Sequence, residues 1–162
     1  MNNNNPLWRF STNIYMKEGV SEILLHAQDK YSVDVNMILF AAWLASINRS
    51  LTETDIETAQ KLVKLWRTGI IIPIRKIRKV VKKIPGTDFF YESIKKVEID
   101  VEKEEVKILY NKFLELSTDQ SSKLKLDLLE YNLEVFREIN FVQQIAHISI
   151  NSTYHIFLYY II

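Results

Sequence analysis

The sequence predicts an all-α fold: a single-domain helical bundle with a long C-terminal helix pair and a short extended tail. Three observations carry this. Apolar residues recur at helical spacing almost throughout, only three Gly and three Pro interrupt 162 residues, and helix-start signals stand directly before the apolar runs. With 48% of its residues apolar and 25% charged, the chain has the material for one domain, residues 1–162, with a substantial core.

Asn2 to Asn5 read as a polar tail, and Pro6 suits the start of a helix over about Leu7 to Met16, with Leu7, Phe10, Ile14 and Tyr15 near one face. Gly19 breaks the chain before a second helix that turns Val20, Ile23, Leu24 and Ala27 inward and Glu18, Glu22 and Lys30 outward. Asp34 directly precedes the run Val35, Met37 to Leu44 and reads as an N-cap. That run is apolar nearly all round, which predicts the most buried element. Thr52, with Asp55 three residues later, predicts a capping box opening a fourth helix along Ile56, Ala59, Leu62, Val63 and Trp66. Gly69 and Pro73 then predict a kink or short break, since an interior Pro lacks the N–H and crowds the preceding turn. The apolar stripe resumes with Ile70, Ile74, Ile77, Val81 and Ile84, and Pro85-Gly86 closes this first helical core, residues 6–84. Residues 88–147 read as two long helices, about Phe89 to Leu116 and on to His147, joined by a turn at Ser117 to Ser122. Residues 148–162 alternate loosely and are rich in β-formers, which predicts the extended tail.

The formal net charge of +1 conceals a split. From Thr58 to Thr87 there is no Asp or Glu, whereas acids prevail from Asp88 onward, with Glu98, Asp100, Glu102, Glu104 and Glu105 in one cluster. The basic segment can therefore find its counter-charges within the chain. The lack of Cys excludes a disulfide framework, a thiolate metal site and a thiol nucleophile. No basic segment followed by an apolar one stands after Met1, so the expected location is cytoplasmic without a secretory signal. The longest apolar stretch, Ile145 to Ile162, is interrupted by His147, Ser149, Asn151, Ser152, Thr153 and His155, so no transmembrane segment is expected.

No Gly-x-Ser-x-Gly, Gly-rich phosphate loop, His-Glu-x-x-His or Gly-x-Gly-x-x-Gly is present. Catalysis is thereby disfavoured, although carboxylates and Arg alone can run acid–base chemistry. Neither a cofactor nor a metal is expected. Glu22, His26 and Asp29 share a helix face, but further ligation would fall to His147 and His155 in the least regular part of the chain.

Two residue sets remain. The first is Trp8, Arg9, Gln28, Asp29, Asp34, Asn36, Trp43, Trp66 and Arg67. An unpaired polar group in a core costs roughly 2–7 kcal/mol, so the polar members either cap helices and form ion pairs or build a pocket for a small polar ligand. The Trp residues either fill the core or line that pocket, with Asp29 or Asn36 as acceptor for an indole N–H. The second set is Arg75, Lys76, Arg78, Lys79, Lys82 and Lys83, the basic side of an amphipathic helix. It is either a solvated face neutralised by the acidic cluster or a contact surface for a protein partner or an anionic ligand. Sequence-specific nucleic-acid reading is disfavoured by the absence of zinc-finger, RNP and helix-turn-helix patterns. A membrane-surface role is disfavoured because no bulky aromatic lines the apolar side of that helix.

The words Leu7-Trp8-Arg9-Phe10-Ser11, Tyr15, Gly19-Val20, Gln28-Asp29, Asp34-Val35-Asn36, Leu39-Phe40, Trp43-Leu44, Trp66-Arg67 and Pro73-Ile74-Arg75 stand in fixed order. Over roughly residues 6–83 this pattern resembles a family of short bacterial proteins of unknown function. The resemblance implies a helical fold and a region in which to look for a site; it implies no activity. Gly69 and the Ile run beside it depart from the more polar helix the family leads one to expect.

Overall fold

In the computed structural model, which describes residues 5–115 and 131–132, the elements are helical throughout, with no strand among the described residues. They are α1 (Pro6–Tyr15), α2 (Val20–Tyr31), α3 (Val35–Ser46), α4 (Glu53–Trp66), a π-helical turn (Arg67–Ile71), α5 (Ile72–Val81) and α6 (Asp88–Glu115). Residues 1–4 of the N-terminal tail, the turn at 117–122, the last helix apart from Tyr131 and Asn132, and the tail at 148–162 lie outside the described residues.

As its composition demands, α3 is the axis of the bundle and is buried without interruption from Met37 to Ala45. On one side Met37, Phe40 and Leu44 meet Leu7 of α1, Ile56 and Val63 of α4, and Val106, Leu109 and Phe113 of α6. On the other, Ile38, Leu39 and Ala42 meet Ile14 of α1 and Val20, Leu24 and Ala27 of α2. Trp43 sits with its ring centroid 5.6 Å from Tyr110 and 5.7 Å from Phe113, a packed aromatic corner of the core.

The helix starts follow local chemistry. Asp34 Oδ1 accepts from the N–H groups of Asn36 and Met37 at 3.1 and 3.3 Å. Thr52 and Asp55 form the reciprocal capping box, with Thr52 N–H donating to Asp55 Oδ2 at 2.9 Å and Asp55 N–H to Thr52 Oγ1 at 3.2 Å. Asn5, read in the sequence as part of a frayed tail, instead caps α1 by accepting from Trp8 N–H at 3.0 Å.

Of the kink or short break expected at Gly69 and Pro73, the break does not occur and the disturbance takes the form of a π-turn. Helical backbone runs through from α4 to α5, and the chain absorbs the proline by widening one turn: the Ile72 N–H donates to Arg67 O, five residues back. A Pro at position 73 has no N–H for the Gly69 carbonyl, and its ring would crowd that oxygen in a regular α-turn. The π-turn relieves both problems and shifts the phase of α5 relative to α4. Beyond Val81 a turn over residues 82–87, with Gly86 at φ +78°, sends α6 back along α5 as an antiparallel partner. There the left-handed backbone suits glycine.

Asn132 is fully buried and staples the α3–α4 connection. Its side-chain oxygen accepts from Leu51 N–H at 2.8 Å, and its amide donates to Arg49 O at 3.0 Å and Ala41 O at 3.3 Å. No helix among the described residues is long and apolar enough to cross a membrane.

Candidate functional site

The polar side chains that converge come from four elements and meet along one stripe of α6. Glu98, Glu102, Glu105 and Leu109 fall at i, i+4, i+7 and i+11, and so face the bundle together. Val106, Leu109 and Phe113 continue that stripe as ordinary core, while its first half is built of carboxylates. Glu98 and Glu105 are buried.

At the N-terminal end of this stripe, α5 supplies the counter-charges. Arg75 Nε donates to Glu98 Oε1 at 3.0 Å and its Nη2 to Glu102 Oε1 at 2.5 Å. Arg78 reaches Glu98 with both Nε and Nη2, the latter at 3.2 Å. Hydrogen bonding to Glu98 drives the Arg78 pKa still higher, so both guanidiniums are held as cations. Tyr15 of α1 borders the same network; burial and then the Glu102 charge raise its pKa, which keeps the phenol neutral.

Further along, Asp34 and Asn36 at the start of α3 meet Arg67 and Glu105. Asp34 Oδ2 forms an ion pair with Arg67 Nη1, and Arg67 Nη2 also donates to the Ser32 carbonyl at the end of α2 at 3.1 Å. Arg67 thus satisfies a helix C-terminus and a helix N-cap with one planar group. Asn36 Nδ2 donates to Glu105 Oε2 at 2.6 Å. Burial, reinforced by the Asp34 charge, pushes the Glu105 carboxyl up to about 8, so that it holds a proton at neutral pH. Its Oε1 and the hydroxyl of Ser11 are buried without a hydrogen-bond partner among the described residues. In α1, Leu7 packs with Val106 and Leu109 while Tyr15 feels Glu98 and Glu102. That antiparallel register sets Ser11 at the level of Glu102 to Glu105.

The Asp34–Arg67 pair is not sealed from outside. It forms part of the wall of an open cavity of about 220 Å³ between α3 and α4, completed by Met37, Gln60, Val63, Lys64 and Thr68. A chain of bonded groups therefore runs from the cavity wall inward, Arg67 to Asp34 to Asn36 to Glu105.

Of the residues singled out in the sequence, Asp34, Asn36 and Arg67 come together. Arg9 is exposed on α1, Gln28 is half-buried on α2, and Asp29 is an exposed carboxylate that accepts from Lys79 Nζ at 2.5 Å. Glu22 and His26 are exposed beside it, and no group of three His, Cys, Asp or Glu among the described residues is arranged to hold a metal. Trp8 lies half-buried under Lys103, whose Nζ is 5.8 Å from the ring centroid. The indole of Trp66 donates to Val101 O of α6 at 2.9 Å, rather than to Asp29 or Asn36. Within the basic set, Arg75 and Arg78 turn inward while Lys76, Lys82 and Lys83 are exposed. The acidic cluster is correspondingly not a solvated counter-face, since two of its members are buried. The i, i+4, i+7 spacing of Glu98, Glu102 and Glu105 puts these carboxylates in phase with Leu109, but spacing alone does not tell whether that face meets water or arginine.

Residues 6–109 match the model of DUF2390, described as a protein of unknown function, and the chain belongs to that family. No curated protein and no solved structure matches the chain.

Proposed function

We propose that this member of the DUF2390 family binds a small molecule carrying an anionic group on a short apolar body, in the cavity between α3 and α4. The observation that carries the reading is the Asp34–Arg67 ion pair lying in the wall of a cavity of about 220 Å³. Ion pairs that serve only stability gain little from facing a cavity, whereas a cation held in place by a carboxylate is preorganised to meet an anion. Lys64 adds a second cation to the wall, and Met37 and Val63 offer the apolar surface. The protonated carboxyl of Glu105, reached through Asn36, makes binding sensitive to pH: an anion near Arg67 strengthens the hold of Glu105 on its proton. The basic helix as a docking face for a protein partner draws less support, since Arg75 and Arg78 are engaged by Glu98 and Glu102 and Lys79 by Asp29.

A thermal-shift screen of small carboxylates and amino acids tests this. A ligand at about 100 times its dissociation constant adds roughly 2.7 kcal/mol of stability. For a chain of this size that raises the melting temperature by about 5–10 °C. The shift should vanish in Lys64→Glu, an exposed position whose change leaves the fold intact. A screen without hits, or a hit that persists in Lys64→Glu, overturns the reading.

A further inference from the structure

The α5–α6 hairpin carries an apolar surface that the bundle does not use. Ile77, Val80 and Ile84 are 51%, 60% and 50% exposed, and Phe89 and Phe90, at the start of α6, are 89% and 56% exposed. Ile77 and Val80 follow the i, i+3 spacing of one face of α5, and Ile84 lies in the turn just beyond it. Their outward aim is enforced from behind, because Arg75 and Arg78 on the opposite side of α5 are anchored to Glu98 and Glu102. The sequence places no aromatic on this side of α5; the antiparallel return of α6 brings two of them to the same end of the hairpin. Exposed Lys76, Lys82 and Lys83 flank these residues, and between Thr58 and Tyr91 the sole acidic residue is Asp88.

We propose that this end of the hairpin docks on an anionic lipid bilayer surface, with Phe89 and Phe90 entering the acyl boundary and the lysines resting among the headgroups. The charge of the patch complements anionic headgroups, and lysine stems are long enough to lie along apolar side chains while their ammonium groups stay in the polar layer. Two exposed aromatics beside exposed lysines suit insertion into a deformable, anionic surface.

Co-sedimentation of the full chain with vesicles tests this, comparing equal parts phosphatidylglycerol and phosphatidylcholine with phosphatidylcholine alone. The chain should partition onto the anionic vesicles and not onto the zwitterionic ones. Replacing Lys76, Lys82 and Lys83 by Gln should lower partitioning by about five-fold per lysine. Phe89→Ser with Phe90→Ser should lower it by about ten-fold or more for each ring. Circular dichroism should report an unchanged fold for both variants, since every altered side chain is exposed. The proposal is overturned by failure to partition onto the anionic vesicles, or by partitioning that the Phe variant retains. A concentration-dependent dimer in the absence of lipid, lost in the Phe variant, would overturn it in favour of a contact between two copies of the chain.

Discussion

Asp34 divides its two carboxylate oxygens between a helix start and a cation. One oxygen accepts from the N–H groups of Asn36 and Met37, and the other is paired with Arg67. Asn caps a helix about as well as Asp, so Asp34→Asn isolates the value of the charge. We expect it to cost about 3 kcal/mol, the lower end for breaking a buried pair from one side. Arg67 is 19% exposed and keeps its bond to Ser32 O, which holds the cost at that end. Asp34→Ala should lose roughly 1 kcal/mol more with the cap. Urea denaturation of the two variants separates these contributions; a loss below about 1 kcal/mol for Asp34→Asn would mean that Arg67 needs no carboxylate there.

The π-turn at Arg67–Ile71 decides which side of α5 meets α6. Deleting Gly69 removes the extra residue and rotates everything after it by about 100° relative to α4, which turns Arg75 and Arg78 away from Glu98. Glu98 would then be a buried carboxylate without its cations, so the deletion should cost about 3–5 kcal/mol. Gly69→Ala leaves the residue count intact. Its backbone lies outside the left-handed region and a Cβ would meet nothing within 4 Å. It should therefore stabilise the protein by about 0.4–1 kcal/mol through the unfolded state. Opposite signs for the two variants in chemical denaturation would identify the turn as a phase-setting device. A neutral deletion would contradict that role.

Across the molecule, the apolar half of the bundle and its polar half share one helix, α6, and the stability of the whole should register the proton on Glu105. Its carboxyl binds that proton more tightly in the folded state, at about 8, than at the usual value of 4.5. The stabilisation is therefore complete below about pH 4.5 and is lost as pH rises toward and through 8, by at most ~1.4 kcal/mol per pH unit. Glu105→Gln retains an oxygen acceptor for Asn36 and carries no charge at any pH. Wild type and variant should melt at similar temperatures near pH 4, with the variant pulling ahead from about pH 5 toward pH 8.5. Parallel curves over that range would show that Glu105 stays ionised in the fold.

Helix starts, the buried character of α3 and the capping box could all be read from the sequence because each depends on residues within a turn or two of one another. The polar half of the bundle was legible as composition and not as placement. A carboxylate at helical spacing looks the same whether its face meets water or arginine. The pairs that settle the matter lie far apart in the chain, with Asn36 and Glu105 separated by 69 residues and Arg75 and Glu98 by 23. Whether Arg75 and Arg78 point inward or outward depends on the phase of α5, and that phase is set by one added residue in the turn before Pro73. Among the described residues, the sequence by itself therefore determined which segments are helices and which one is central. Only the tertiary structure decided which helix faces meet, and with them which charges are buried, because that choice rests on contacts between distant segments that no local pattern encodes.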